Sequence, residues 1–156
     1  MKLAVQEMVV QAPIERLFQL LVDPEQFVLW MAEEATLDPV PGGVVRWTHA
    51  NGDSCSGRYV EIDPPRRVVF TYGWERAEVA IPPGSTTVEI DLTARGDGST
   101  HLRLVHRGLG DAAAQAHGVG WAHYLSRLRR TAEGADVGPD PWADQQVPTF
   151  EEDTGS

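Results

Sequence analysis

The chain has 156 residues, 42% of them hydrophobic and 23% charged, the balance of one soluble globular domain. Its net charge is −10, and from Glu133 onward there are seven acids and no Lys or Arg. Neither that tail nor residues 1–132, at −3, has the basic surplus that nucleic acid or an anionic membrane surface favours.

Residues 3–11, "LAVQEMVVQ", alternate loosely and predict a first strand. No signal-peptide core and no apolar run long enough to cross a membrane is present, so a cytoplasmic protein is expected. Glu7 shares a face with Leu3, Val5 and Val9, and is expected at an exposed edge; an inward position would pair it with Arg46 or Arg58. "APIERLF" opens a helix with Pro13 in its first turn, and Ile14, Leu17, Phe18 and Leu21 fall on one face. Asp23-Pro24 breaks it, and "PEQFVLWM" predicts a second short helix ending near Trp30. "PVPGG" at 39–43 is a loop.

Strands follow at 44–49, 55–63, 66–74, 86–94 and 100–107, separated by "NGD", "PP", "IPPGS" and "GDGS" turns. Val68, Phe70, Tyr72 and Trp74 share one face, as do Val88, Ile90 and Leu92, and Leu102, Leu104 and His106. Glu61, Glu89 and Asp91 take the watered face. The apolar face needs a cover, and the last helix supplies it. Asp111 is the expected N-cap, and Ala113, His117, Gly120, Trp121, Tyr124, Leu125 and Leu128 form a stripe, with His123, Arg127 and Arg130 on the far side. Gly118 and Gly120 each cost about 1 kcal/mol against Ala in a helix. Gly120, on the stripe, is expected to let a neighbouring side chain or a ligand come close to the backbone; Gly118 has no packing account. Residues 133–156, acidic and rich in Pro and Gly, are expected to be a mostly disordered tail, with Trp142 and Phe150 able to dock locally.

The segments "APIERLFQLLVDPEQFVLW" (12–30), "PGG" (41–43), "GRYVEIDPPRRVVFTYGW" (57–74), "TTVEIDLTARGDGSTHLRLVHRGL" (86–109) and "HGVGWAHYLSRL" (117–128) together resemble the START/Bet v 1-like (SRPBCC) superfamily. Within it they are similar to the branch named for the C-terminal domain of the activator of Hsp90 ATPase. The resemblance covers about residues 1–130. It implies an α+β helix-grip fold: a curved antiparallel sheet of about six strands wrapped around a long C-terminal helix, two short helices after the first strand, and a cavity between sheet and helix. That fold accounts for residues 1–132 as one domain. Superfamily members bind lipids, sterols and polyketides there, and a minority catalyse cyclisation or hydration.

The expected function is therefore binding of an apolar or amphipathic small molecule, lipid- or polyketide-like. The candidate lining is Trp30, Trp47, Phe70, Tyr72, Trp74, Trp121 and Tyr124, with His106 and His117 as polar contacts. Both histidines read first as core residues satisfied by hydrogen bonds; acid–base work is their other use. His49, His101 and His123 are expected to face solvent. No spacing suggests a metal site, the single Cys55 excludes an internal disulfide, and no cofactor is implied. A chaperone partner and a cyclase- or hydratase-like enzyme are the alternatives, with the chain a monomer or homodimer.

Overall fold

The computed structural model describes residues 2–142. Seven antiparallel strands form one curved sheet: β1 (Lys2–Val10), β2 (Glu34–Leu37), β3 (Val44–Thr48), β4 (Ser54–Asp63), β5 (Arg67–Tyr72), β6 (Thr86–Ala94) and β7 (Thr100–Leu109). Their order across the sheet is β1-β7-β6-β5-β4-β3-β2. The sheet has seven strands where about six were expected. The added strand, β2, is only "EATL" on an exposed edge, with Ala35 opposite Trp47, and four residues are too few to show a period.

Helix α1 (Ile14–Val22) starts after Pro13, and its apolar face of Ile14, Leu17, Phe18 and Leu21 is buried as its spacing requires. Helix α2 (Pro24–Phe27) is one turn long, shorter than expected; the Asp23 side chain caps it by accepting from the Glu25 N–H at 3.0 Å. The chain then continues in turns to Met31. Helix α3 (Asp111–Ala132) has 22 residues, about 33 Å of helix, and lies across the concave face. Its N-cap is Gly110 rather than Asp111, which sits in the first turn, where its charge suits the helix dipole. At the other end Arg16 donates to the carbonyls of Thr131 at 3.0 Å and Ala132 at 2.9 Å, covering groups that helix geometry leaves unpaired.

The core lies between sheet, α1, α2 and α3, and Leu102, Leu104, Val88, Ile90, Val68, Trp121, Leu125 and Leu128 meet there. The convex face carries ion pairs. Arg67 reaches Asp91 at 2.8 Å, Glu89 at 2.9 Å and Glu61 at 3.2 Å, and Arg107 also pairs with Glu89. Glu7 belongs to this face, near His101 (3.5 Å) and Arg103 (3.6 Å), while Arg46 pairs with Glu75. Among the described residues no helix is long and apolar enough to cross a membrane.

Two glycines let strands turn against their neighbours. A Cβ on Gly57 would lie 1.9 Å from the Thr71 carbonyl oxygen, and one on Gly73 would lie 1.7 Å from that of Pro82. Gly73 therefore ends β5 at Tyr72, and Trp74 follows as a single bridge to Cys55. Gly118 and Gly120 behave differently, since a Cβ on either meets nothing within 4 Å. No neighbouring side chain comes close to Gly120, and the residue borders open space. Gly118→Ala should accordingly raise stability by about 0.5–1 kcal/mol, a gain of roughly 2–4 °C in the thermal midpoint. A thermal melt of that variant checks this, and a lowered midpoint would contradict it.

Candidate functional site

Three indole–imidazole hydrogen bonds organise the space between sheet and α3. Trp121 Nε1 donates to His106 Nδ1 at 3.0 Å, Trp74 Nε1 to His117 Nε2 at 3.2 Å, and Trp47 Nε1 to His49 Nε2 at 3.1 Å. Because each imidazole accepts an indole proton, its other nitrogen carries the hydrogen. His106 Nε2–H donates to Thr86 Oγ1 at 2.8 Å, and that hydroxyl in turn donates to the Tyr72 carbonyl at 2.8 Å. His117 Nδ1–H donates to the Ala113 carbonyl one turn back at 2.8 Å. His49 Nδ1–H points at Tyr124 Oη at 3.4 Å, and Tyr124 donates to Asp140 Oδ2 at 2.5 Å.

All three rings are neutral in this arrangement. Burial pushes the pKa of His106 down to about 2, helped by the neighbouring His117, and that of His49 down to about 4. Burial also lowers that of His117. With both nitrogens of His106 and His117 engaged, neither holds a free lone pair or proton for acid–base transfer at neutral pH. Burial likewise raises the pKa of the Tyr72 phenol and that of the Cys55 thiol, which donates to Tyr72 Oη at 3.6 Å. Among the described residues no three His, Cys, Asp or Glu side chains gather as a metal site.

The rings form a frame with a floor. His49 stacks on Trp74 at 5.9 Å and meets Tyr124 at 5.2 Å; Trp74 meets His117 at 6.3 Å. His117 and Tyr124 stand on α3 three residues before and four after Gly120, so Gly120 forms the helix side of the frame. Tyr72 is the floor, touching His106 (4.6 Å), His117 (5.7 Å), Trp47 (5.7 Å), Trp74 (6.0 Å) and Trp121 (6.2 Å). His106, Tyr72, Trp47 and Trp121 are buried, while His49, Trp74 and Tyr124 are half-exposed at the rim.

Eight of the nine candidate residues come together in this way, with Phe70 touching Trp47 at 6.0 Å. Trp30 stands apart. It is 1% exposed, its Nε1 donates to the Leu20 carbonyl, and it reaches Trp47 only through Phe27.

Two histidines expected in solvent are corrected. His49 belongs to the frame, and its spacing from Val45 and Trp47 on the inner face was the signal for it. His123 is stacked on Trp142 at 3.8 Å and bonded to Asp140 at 2.8 Å. Arg127 is also corrected from the far side to a buried position, where it donates to the carbonyls of Trp30 and Gly138. Residues 138–142 thus pack onto α3; Phe150 lies outside the described residues.

Among curated proteins none matches the chain significantly. Solved structures do. The AHSA1-like protein of Rhizobium etli is 41% identical, with 94% of this chain and 91% of that one covered and a TM-score of 0.70. The Aha1 dimer of Colwellia psychrerythraea is 18% identical, covering 90% of this chain and all of that one, with a TM-score of 0.72. DynU16, a protein of the dynemicin biosynthetic locus, is 20% identical over 85% of this chain and 47% of that one, with a TM-score of 0.72. The latter two show the shared fold. The model for "Activator of Hsp90 ATPase homolog 1-like protein" matches residues 11–133. That match spans most of the chain, from just before α1 to the end of α3, and so the chain belongs to the family of activator of Hsp90 ATPase homolog 1-like proteins.

Proposed function

We propose that the chain binds a flat apolar or amphipathic small molecule through the ring frame, against the floor formed by Tyr72. The carrying observation is the frame itself: three half-exposed aromatic rings beside a helix position, Gly120, that has no side chain and faces open space. Every ring nitrogen already has a partner, so the frame offers π faces rather than hydrogen bonds. Flat conjugated molecules suit such faces, each good ring pair contributing about 0.5–1.5 kcal/mol beyond buried area. The family and the fold shared with a protein of the dynemicin locus support this reading. Because the rings below the frame touch one another, the ligand gains depth by turning His49 and Tyr124 outward.

Native mass spectrometry of the chain purified from its own host tests the reading. A retained mass is expected, and it should vanish in Gly120→Leu, whose Cβ meets nothing within 4 Å and whose branches would occupy the open space. A chain that carries no small molecule in any preparation, and instead co-purifies stoichiometrically with a chaperone, would replace this reading with the partner role that the family description suggests.

A further inference from the structure

A second cleft lies further round α3, where the helix meets residues 137–141. It has a volume of about 460 Å³, with His123, Ser126, Arg127 and Arg130 on the helix and Pro139 and Pro141 opposite. The four helix residues are spaced i, i+3, i+4 and i+7, one face of two turns.

Arg127 is the unusual member. It is only 7% exposed, yet no carboxylate lies within ion-pair distance of it among the described residues. A buried cation without a counter-charge is costly. Its guanidinium is nonetheless held in one orientation, Nε on the Trp30 carbonyl at 2.9 Å and Nη2 on that of Gly138 at 2.8 Å. Arg130, one turn away along the same face, is exposed and likewise makes no ion pair among the described residues. The nearby acid, Asp140, spends its oxygens on Tyr124 Oη, His123 Nε2 and the Trp142 N–H. The negative end of α3 is already covered by Arg16.

We infer that this cleft is an anion site, and that its ligand is a phosphate ester. A fixed guanidinium, a second one on the same face and the Ser126 hydroxyl offer more donors than a single carboxylate accepts. Guanidinium forks match phosphate oxygens in geometry and charge. In a chain of net charge −10 the two guanidiniums on one helix face are a local concentration of positive charge. The cleft adjoins the ring frame through Asp140, which holds both His123 and Tyr124, but it uses none of the frame's rings.

The test is a titration of the full chain with inorganic pyrophosphate and with phenyl phosphate, read by calorimetry and by the NMR resonance of Arg127 Nε–H. Saturable binding is expected, with that resonance shifting in step. Arg130→Glu should weaken it by about tenfold or more, whereas Arg95→Glu, in the distant β6–β7 turn, should leave it unchanged. Arg127→Lys, which keeps charge but loses the fork, should also weaken it; Arg130→Glu decides the matter where that variant folds poorly. Absence of saturable binding, or equal affinity in Arg130→Glu and Arg95→Glu, overturns the assignment. Binding by the carboxylate benzoate as tight as by phenyl phosphate overturns the choice of a phosphate ester.

Discussion

Lowering the pH from 7 to 5 should remove about 4 kcal/mol of folding stability, a large share of the stability of an ordinary domain. The reason is the neutral state of His49, His106 and His117. In the unfolded chain each takes up a proton as the pH falls through about 6.5. In the folded chain His49 resists protonation down to about 4 and His106 down to about 2, and the pKa of His117 is also lowered. The unfolded state therefore binds more protons, and stability is present above pH 6.5 and lost as pH falls toward the folded values. His49 and His106 alone give a slope of about 2.5 kcal/mol per pH unit near pH 5.5, and His117 acts in the same direction. Carboxylates held below their usual range, such as Glu75 beside Arg46 and Glu89 beside Arg107, add their loss only at lower pH. Urea unfolding at pH 7, 6 and 5 measures the slope, and a change under about 1 kcal/mol per unit would show that the rings are not neutral and buried together.

His106→Ala should cost about 3–5 kcal/mol at pH 7.5. The imidazole is wholly buried, so its removal leaves a void between β7 and α3, and the Trp121 indole N–H is left inside without an acceptor. Trp121→Phe, which removes the donor and leaves His106 Nδ1 unpaired, should cost less, and the two changes together should cost less than the sum of each alone. Denaturant midpoints for the single and double variants check this. Additive costs would mean that the bond between the rings contributes nothing of its own.

The inner faces of β5, β6 and β7 were legible because alternation in a strand is local: Val68, Phe70 and Tyr72, or Leu102, Leu104 and His106, declare their side with no knowledge of the partner. The stripe of α3 was legible for the same reason at its own period. What stayed hidden depends on groups far apart in the chain. His49 lies one residue past the end of β3; alternation with Val45 and Trp47 points it inward, but its partners Trp74 and Tyr124 are not near it in sequence. Arg127 is drawn inward by two carbonyls, one of them Gly138 in the segment expected to be a tail. Asp140 belongs to the same segment, and composition alone gave no sign that its carboxylate would hold both Tyr124 and His123. Gly120 shows the converse. Its cost to the helix was visible, but only the surrounding rings reveal that it borders an opening rather than a tight contact.

A ¹⁵N NMR titration of the full chain with a planar polycyclic aromatic probe, such as an anthraquinone, tests whether the ring frame binds. The indole N–H of Trp74 and the amides around Gly120 should shift saturably, while the Trp30 indole, tied to the Leu20 carbonyl, stays in place. Shifts confined to the cleft between α1 and the Pro64–Pro65 turn, or no saturable shift at the frame, would contradict it.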